Sequence, residues 1–275
     1  MVWILPAVLL VLILIRAWWE PTVLVSSTIH VDNFKARPDQ AAVTGQPLRI
    51  LLLSDLHAEH LRLPHQKLLS ACAASRPDLV LFAGDLAGKP AALPLALALI
   101  QKIRSLPEIQ AVPFLAVRGN HDDSAAASSL RQAGIMVLDN AAAQVEVRGK
   151  SWLVIGLEDL KTGHPDASEA LKLADQLGLP PERRIVLTHN PDAWLDLPEN
   201  SAALYLAGHL HGGQIWLPFR LEFYLLRGEK LPRIGHYRGS FIWRGTPAFI
   251  SRGLGCVKLP LRLFSRPEVN VIEIS

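Results

Sequence analysis

Apolar runs that end in short polar clusters recur along most of the chain. They predict strands over residues 48–55, 79–85, 113–120, 185–190 and 204–209, and the segments between them predict helices near 65–75, 91–105, 124–133 and 167–177. Further strand-like stretches at 144–156, 246–250 and 269–274 predict a second, partly antiparallel sheet. Continuously apolar strands that alternate with helices are typical of an α/β fold in which helices cover the sheets.

The start of the chain has a different pattern, with no polar face. Between Val2 and Trp19 the only charged residue is Arg16, and a helix of this length reaches roughly 27 Å, close to the hydrocarbon thickness of about 30 Å. The segment lacks the basic start and the small-residue cleavage site of a secretory signal peptide. We therefore predict a membrane anchor over residues 1–20, with a buried first helix of the globular domain as the alternative.

Residues at the end of this segment predict how it lies in the membrane. Trp18 and Trp19 suit the membrane interface, where amphipathic rings collect. Arg16, Lys35 and Arg37 lie at or after the end of the apolar stretch, and no Lys or Arg precedes it. The positive-inside rule therefore predicts a single anchor in the inner membrane, with the rest of the chain in the cytoplasm.

The rest of the chain divides near Leu48. Residues 21–47 mix polar residues with turn formers and end in "TGQP", which predicts a linker or short extended segment. Residues 48–275 hold the alternating strands and helices and show no internal repeat. They predict one large α/β domain.

Composition adds a basic region to this picture. Half of the 275 residues are hydrophobic and 19% are charged, which excludes a disordered chain. The net charge is only +3, but from Ile215 to Arg266 ten Lys or Arg stand against two Glu. Such a stretch suits contact with phosphates or anionic lipid, and a basic surface that only confers solubility is the alternative.

The two cysteines, Cys72 and Cys256, lie far apart and outside any CxxC pattern. Their number and spacing exclude a disulfide-rich scaffold. Each is expected to behave as a small buried hydrophobe, and a single disulfide between them stays open.

The polar clusters that end the apolar runs consist of metal-ligating residue types. Each cluster follows a strand-like run, where a sheet holds the backbone while a loop frees the side chains. The residues are Asp55, His57, Asp85, Asn120, His121, Asp122, His189, His209 and His211. Two divalent ions about 3.5 to 4 Å apart require a bridging carboxylate, neutral imidazoles and oxygen ligands that leave room for water. The set therefore predicts a two-metal site, with Asp85 as the natural bridge.

The stretch "AGHLHGGQ" at residues 207–214 places two histidines one residue apart among glycines. Positions at a strand end diverge, so His209 and His211 are expected to face different ions. Gly208, Gly212 and Gly213 would let the backbone bend closely around the metals.

The blocks DxH, GD, GNHD, a lone His and GHxH follow one another between about Leu48 and His211. In this order they resemble the calcineurin-like metallophosphoesterases. The resemblance implies an α/β fold, a four-layer sandwich of two mixed β-sheets flanked by helices, here with an N-terminal hydrophobic helix. It also implies two divalent metal ions as cofactors. Mixed nitrogen and oxygen ligands without thiolate suit manganese, iron or zinc.

The resemblance also carries over a role for each matched residue. One ion would be held by Asp55, His57, Asp85 and His211. The other would be held by Asp85, Asn120, His189 and His209. His121 and Asp55 are the expected catalytic residues: His121 would protonate the leaving oxygen or, in the alternative, orient Asp55 or another ligand. Arg118 would contact substrate phosphate or be an ordinary surface residue.

Stretches outside the metal motifs resemble a membrane-anchored branch of the same family. They are "GHLHGGQIWLP", "GHYRGS" at Gly235–Ser240 and "SRGLG" at Ser251–Gly255, followed by "RPEVNVIEI". The branch includes proteins similar to the bacterial hydrolase of UDP-2,3-diacylglucosamine. Between the first two stretches, residues 216–234 mix large apolar residues with arginines. They are expected either to lie among lipid headgroups or to pack on the core as a hairpin or helix.

Together these features predict a membrane-associated, two-metal phosphoesterase. It would hydrolyse a phosphodiester or pyrophosphate bond, in a lipid-linked substrate such as UDP-2,3-diacylglucosamine. A broad-specificity phosphodiesterase or a nuclease of the same fold is the alternative, and a metal-binding scaffold without activity is a further one. The expected partners are the phosphoester substrate and the membrane. Nucleic acid is not expected, because the chain has an apolar anchor and no added DNA-binding region.

Overall fold

Two six-stranded β-sheets stack face to face in the computed structural model of the chain, which describes residues 4–31, 46–225 and 227–275. The strands are β1 (Val25–Val31), β2 (Leu48–Leu53), β3 (Leu79–Phe82), β4 (Phe114–Ala116), β5 (Met136–Val137), β6 (Ala141–Val147), β7 (Lys150–Gly156), β8 (Arg184–Leu187), β9 (Leu204–Ala207), β10 (Gly239–Trp243), β11 (Thr246–Ile250) and β12 (Glu268–Ile274). The helices are α1 (Ile4–Trp19), α2 (His65–Ser75), α3 (Leu93–Arg104), α4 (Ser124–Gln132), α5 (Ala167–Gln176), α6 (Leu221–Leu225) and α7 (Lys230–Arg233).

Both sheets are mixed. The first has the strand order β1-β12-β2-β3-β4-β5 and the second β10-β11-β9-β8-β7-β6. In the first sheet β2 to β5 run parallel and β12 is antiparallel to β2. In the second, β7, β8, β9 and β11 run parallel between the antiparallel edge strands β6 and β10. The loops that follow the parallel strands carry the polar clusters.

Side-chain alternation along the strands produces the layers. In β2, Leu51 and Leu53 pack with residues of the helices α2, α3 and α4, while Ile50 and Leu52 pack against the second sheet. The outer face of the second sheet is covered by α5 and by Trp194. The order helix, sheet, sheet, helix is the four-layer α/β sandwich that the sequence predicts.

The predicted strands and helices are present, with small shifts at their ends, but one assignment is wrong. Residues 269–274 were expected in the second sheet, yet β12 lies in the first sheet, antiparallel to β2. An apolar strand pattern shows that a strand is buried and does not show which partner it pairs with. Residues 246–250 and the hairpin of β6 and β7 do lie in the second sheet.

Part of the predicted linker is a strand of the first sheet. β1 pairs in parallel with β12 along its whole length, from Val25↔Glu268 to Val31↔Ile274. Its side chains alternate between exposed and partly buried, as expected for an edge strand with one solvated face. Residues 32–45 lie outside the described residues. The boundaries predicted for the anchor, the linker and the domain remain predictions.

Helix α1 carries the apolar start of the chain and continues as a 3₁₀ turn to Thr22. Residues Ile4–Thr22 are long and apolar enough to cross a membrane, by length and composition. Most of these side chains are exposed, so the alternative of a buried first helix is wrong.

The C-terminal end of α1 is attached to the body of the protein by buried polar contacts. Glu20 is only 1% exposed. It accepts a hydrogen bond from the Ser265 amide and pairs with Arg16 at 3.3 Å. The Arg262 amide donates to the Ala17 carbonyl at 3.0 Å. The described chain therefore seats the helix directly on the segment that precedes β12.

The described residues of the stretch 216–234 include two short helices, α6 and α7, on the second sheet. Phe223 and Leu231 are buried in its outer core, whereas Phe219 and Leu225 are 87% and 71% exposed. One face of the segment therefore packs on the core as short helices, which is one of the two predicted alternatives. Its other face leaves large apolar side chains in solvent.

Candidate metal centre

Loops after five strands bring the polar clusters to one end of the sandwich. Asp55, Asp85 and Asn120 follow β2, β3 and β4 of the first sheet. His189 and His209 follow β8 and β9 of the second. The carboxyl ends of parallel strands share an edge, and a crevice outside this edge is where open α/β sheets bind ligands.

The backbone of these loops is held in an unfavourable conformation. The angle φ is in the left-handed region at Asp55 (51°), His57 (37°), Asp85 (64°), His209 (70°) and His211 (50°). Such a conformation costs a residue with a side chain on the order of 1 to 3 kcal/mol, and it concentrates at functional sites. The surrounding fold therefore orients these side chains against their local preference.

Asp55, His57 and His211 form one buried group of metal-ligating side chains. One ligand atom from each lies within 4.8 Å of the others. His211 Nε2 is 3.3 Å from Asp55 Oδ1. These distances leave room for one cation between the three side chains.

Asp85, His189 and His209 form a second buried group with the same spacing. His209 Nδ1 lies 3.0 Å from His189 Nε2, and Asn120 Oδ1 lies 3.3 Å from the same nitrogen. The structure therefore brings Asn120 to the second group. It also places His209 and His211 in different groups.

Asp85 lies between the two groups. Its Oδ2 is 3.3 Å from His57 Nε2 in the first group and 3.3 Å from His189 Nε2 in the second. Its Oδ1 accepts a hydrogen bond from the His121 amide at 2.9 Å. A carboxylate oxygen that faces ligands of both groups has the position that a bridging ligand requires.

The hydrogen bonds of two histidines show that the groups suit cations. His189 Nδ1 donates to the Ala83 carbonyl at 2.6 Å, so the Nε2 lone pair of the neutral ring points at the oxygens of Asp85 and Asn120. His57 Nε2 is buried and lies 3.3 Å from Asp85 Oδ2, but the described residues give it no hydrogen bond of good geometry. Lone pairs that converge in a buried site are costly unless a proton or a cation lies between them. The nitrogen and oxygen donors therefore fit divalent metal ions.

Electrostatics divide the four histidines into two kinds. Burial lowers the pKa of His211 well below its usual value and that of His209 to about 4. Both rings are thus neutral at pH 7, the form in which imidazole binds metal. Burial also acts on His57 and His189, but the Asp85 carboxylate outweighs it and raises both pKa values, that of His189 to about 10. A cation would displace the protons that Asp85 holds on these rings.

Gly208 allows two ligand-bearing loops to approach closely. A Cβ atom at this position would lie 1.7 Å from Ser54 Oγ and 2.5 Å from Asp55 Oδ2. Without it, the His209 amide donates to both carboxylate oxygens of Asp55, at 3.1 and 3.0 Å. The GHxH loop thereby holds the carboxylate of the DxH loop.

Asp122 joins two loops of the first sheet. Its buried carboxylate accepts hydrogen bonds from the amides of Asp85, Leu86 and Gly119, at 2.7, 2.9 and 2.9 Å. Burial and the charge of Asp85 raise the pKa of Asp122 to about 6. Asp122 lies outside both ligand groups and fixes the loop of Asp85 to that of Asn120.

Sequence reasoning missed a charged cluster around His209. Glu229 Oε1 accepts a hydrogen bond from His209 Nε2 at 2.9 Å and pairs with Lys161 Nζ at 2.9 Å. Burial raises the pKa of Glu229, but these two hydrogen bonds outweigh it and hold the pKa below its usual range. A carboxylate on the far nitrogen of a metal-binding imidazole orients the ring and increases its basicity. The available signal was that only two Glu interrupt the basic stretch 215–266.

The stretch Ser251–Gly255 holds the DxH loop from another side. The amides of Leu254 and Gly255 donate to the Asp55 carbonyl at 3.2 and 2.7 Å. A Cβ atom on Gly255 would lie 2.1 Å from the Leu56 carbonyl oxygen. The backbone of the stretch Ser251–Gly255 thus supports the ligand group that contains Asp55.

The segment that follows supports His211. The Arg262 side chain is completely buried. Its Nη2 lies 3.4 Å from His211 Nδ1, and its Nη1 donates to the carbonyls of Arg252 and Ser265 at 2.9 and 2.8 Å. The Ser265 hydroxyl donates to the His211 carbonyl. The segment that receives the end of α1 is therefore also the support of a candidate ligand.

A cavity of about 420 Å³ opens over the two groups. Its polar lining includes Asp85, Asn120, His121, His209 and His211. Its other lining residues include the cations Lys161, Arg227 and Lys258 and the apolar Ile215, Leu217, Val257 and Leu259. The cavity joins the ligand groups to a basic and apolar region that can hold the rest of a substrate.

His121 and Arg118 have different surroundings. His121 is exposed, lines the cavity, and lies with its ring centroid 5.4 Å from that of His57. Among the described residues no carboxylate hydrogen-bonds the His121 ring. Arg118 pairs with Asp139 at 2.7 Å and with Glu158 at 3.4 Å. These ion pairs favour the interpretation of Arg118 as a surface residue.

Two stacked sheets with paired ligand groups at their strand ends define a protein suited to holding two metal ions beside a substrate cavity. The model of the calcineurin-like phosphoesterase family matches residues 48–213, and the chain belongs to this family. The family depends on a pair of metal ions, and the protein is a metal-dependent phosphoester hydrolase.

Similar proteins support this class. The metallophosphoesterase YkuE of Bacillus subtilis is 33% identical over 237 residues, which cover 82% of this chain and 78% of that protein. The phosphodiesterase YaeI of Escherichia coli is 31% identical over 245 residues, or 83% and 82% of the two chains. The UDP-2,3-diacylglucosamine pyrophosphatase LpxG of Chlamydia muridarum is 32% identical over 93 residues, or 32% and 28%. The first two matches span most of the chain, and the third spans about a third of it.

Proposed function

We propose that the protein is a membrane-associated hydrolase that uses two metal ions to cleave a phosphodiester or pyrophosphate bond in a lipid-linked substrate. The observation that carries this proposal is the lining of the cavity, which joins the ligand groups to three cations and an apolar wall. Cationic side chains suit phosphoryl oxygens, and an apolar wall suits an alkyl chain. The partial match to LpxG, which is a pyrophosphatase of a lipid-linked substrate, points in the same direction.

The proposed ligands follow the two groups of side chains. The first ion would be held by Asp55, His57, Asp85 and His211, and the second by Asp85, Asn120, His189 and His209. Manganese, iron or zinc suits this mixture of nitrogen and oxygen donors. When bound, the two ions supply an activated water and neutralise charge on the phosphoryl group.

Residues at the cavity wall would complete the reaction. His121 would donate a proton to the leaving oxygen, because its ring faces the cavity and its amide is fixed by Asp85. Asp55 is the second proposed catalytic residue, and the amide of His209 holds its carboxylate in position. Arg227 donates to the His209 carbonyl at 3.1 Å, and its other N–H groups would bind substrate oxygens.

Helix α1 supports the membrane part of the proposal. It would anchor the protein in the inner membrane, with the catalytic body in the cytoplasm, because Arg16 lies at its C-terminal end and Lys35 and Arg37 follow it in the chain. The basic stretch 215–266 would add attraction to anionic lipid. A reporter that is active on only one side of the membrane, fused after Ser275, tests this orientation.

A phosphodiesterase that acts on soluble diesters is the second candidate. The match to YaeI, which is a phosphodiesterase and aligns with 83% of the chain, favours it. Such an enzyme would use the same metal ligands and would not depend on the apolar wall of the cavity.

The test compares substrates with one preparation of the full-length protein in proteoliposomes, supplied with manganese. The substrates are UDP-2,3-diacylglucosamine, bis-p-nitrophenyl phosphate and single-stranded DNA, and Asp85→Asn serves as the control for contaminating activity. Preferred hydrolysis of the lipid supports the proposal. Turnover of the soluble diester alone supports the second candidate, and cleavage of DNA alone identifies a nuclease. Two bound metals without turnover of any substrate would overturn both candidates.

A further inference from the structure

The apolar end of the cavity is formed by two short stretches of chain. Ile215 and Leu217 line one wall, and Val257 and Leu259 line the other. The Gln214 side chain holds the walls together, since it accepts from the Val257 amide at 2.7 Å and donates to the carbonyls of Val257 and Leu259 at 3.0 and 3.2 Å. Leu259 is 56% exposed, so this end of the cavity reaches the protein surface.

The wall that contains Leu259 continues directly into the segment that contacts the C-terminal end of α1. The next carbonyl, that of Pro260, accepts a hydrogen bond from Arg62 Nη1 at 3.5 Å. The same guanidinium donates to the Trp18 carbonyl and stacks over the Trp18 ring, 3.6 Å from its centroid. Arg62 therefore links the residue after Leu259 to the end of the apolar helix.

The opposite wall, residues 215–217, is connected to the same helix. The Trp216 amide donates to the Leu263 carbonyl at 3.0 Å, and the Trp216 ring meets the Phe264 ring edge-on at 5.8 Å. Phe264 is in turn covered by the Arg16 guanidinium of α1, 4.2 Å from the ring centroid. Both walls thus end at the same surface of the protein.

This surface carries three pairs of an arginine and an aromatic ring. The pairs are Arg16 with Phe264, Arg62 with Trp18, and Arg266 with Trp19. Trp18, Trp19 and Phe264 are each about half exposed. Aromatic rings and arginines at the end of an apolar helix are typical of the membrane–water interface. If α1 spans the bilayer, the apolar end of the cavity therefore lies at the level of the headgroups.

We infer that the apolar end of the cavity is a binding site for an acyl chain of the substrate, which reaches it from the adjoining bilayer. This inference rests on the proposed function and assigns a part of the substrate to each part of the cavity. The phosphoryl group lies over the ligand groups, beside Lys161 and Arg227, and the acyl chain lies between the two apolar walls. Lys258, exposed between Val257 and Leu259, faces the anionic headgroups.

A matched pair of substitutions separates this site from general membrane effects. Leu259→Asp places a charge at the apolar end of the cavity. Ile242→Asp places the same charge on β10, at a residue that is 55% exposed and does not line the cavity. Both variants are compared with the wild type in proteoliposomes, with long-chain and short-chain forms of UDP-2,3-diacylglucosamine as substrates.

The wild type is expected to prefer the long-chain substrate. Leu259→Asp is expected to lower kcat/KM for the long-chain substrate about 10- to 100-fold. This loss corresponds to apolar area of about one large side chain that is no longer buried on binding. The loss for the short-chain form should be much smaller. Ile242→Asp is expected to leave both values unchanged. Leu259→Ala, which only shortens the side chain, should shift the chain-length preference in the same direction.

Two results would overturn the inference while leaving the proposed function intact. One is a wild type that hydrolyses the two chain lengths equally well. The other is a Leu259→Asp variant whose chain-length preference matches that of Ile242→Asp. Failure of the wild type to hydrolyse either lipid would instead count against the proposed function itself.

Discussion

Replacing Gly208 with alanine tests whether the spacing between two loops, and not only their ligands, makes the candidate metal centre. The new Cβ would lie 1.7 Å from Ser54 Oγ and 2.5 Å from Asp55 Oδ2, whereas ordinary contacts begin at 3.4 Å. The Ser54 hydroxyl must therefore turn away, and the Asp55 carboxylate must move by about 0.9 Å to reach an ordinary contact distance. Gly208 does not have a positive φ, so alanine fits its backbone conformation and the effect is purely steric.

The size of this displacement sets the expected loss. A misplacement of about 1 Å in a catalytic site costs about 10²-fold in rate. Forcing extra volume into a packed region costs about 1 to 3 kcal/mol of stability. We therefore expect Gly208→Ala to lower kcat for bis-p-nitrophenyl phosphate about 100-fold. The metal of the Asp55 group should be lost first, because the His209 amide no longer holds the Asp55 carboxylate.

Metal content per chain, steady-state kinetics and denaturant unfolding are measured together on this variant. Gly178→Ala is the matched control, because Gly178 has a φ of +73° and open space around its Cβ position. It should lose about 1 kcal/mol of stability through backbone strain and keep both its metals and its kcat. A Gly208→Ala protein with two bound metals and wild-type turnover would refute the reasoning.

Three further outcomes are expected. His121→Ala should keep both metals and lower kcat about 10²- to 10⁴-fold, and an empty site in metal analysis would show instead that His121 is a ligand. Glu229→Gln should weaken metal binding about 10- to 100-fold in a metal titration, because an amide supports the His209 imidazole less well than a carboxylate does; an unchanged affinity would contradict this role. Cys72 and Cys256 are free and buried, and burial raises the pKa of Cys72 to about 12 and raises that of Cys256 as well. Neither thiol should react with a thiol reagent at pH 8 until the protein is denatured, and labelling of the native protein would disprove their burial.

The convergence of the candidate ligands could be predicted because each one directly follows an apolar run. A run such as that before Asp85 indicates a buried strand, and strands that run parallel end at one edge. The position of a residue such as Asp85 or His189 therefore follows from local sequence once the strand is recognised. The alternation that separates Leu51 from Ile50 likewise predicts two buried faces and hence layers on both sides of a sheet.

Features that depend on contacts between distant segments could not be predicted in this way. Glu229 reaches His209 from the loop before α7. Its place as one of only two Glu in a basic stretch singles it out, but that signal does not identify an imidazole as its partner. The pairing of β1 with β12 joins Val25–Val31 to Glu268–Ile274, two segments that lie far apart in the sequence. Such pairings are determined by the packing of the whole sandwich, which a local pattern does not contain.

The burial of Glu20 has a practical consequence for anyone who wishes to study a water-soluble fragment. A fragment that begins at Leu48 would lack the apolar helix α1 but also β1 and Glu20. The hydrogen-bonding edge of β12 would then be exposed and prone to aggregation, and the Ser265 amide would lose its acceptor. A fragment that begins at Ala17 would keep these contacts and remove most of the helix. The end of α1 and the strand β1 are thus part of the folded domain. A truncation made for solubility must therefore also preserve their contacts with β12 and Ser265.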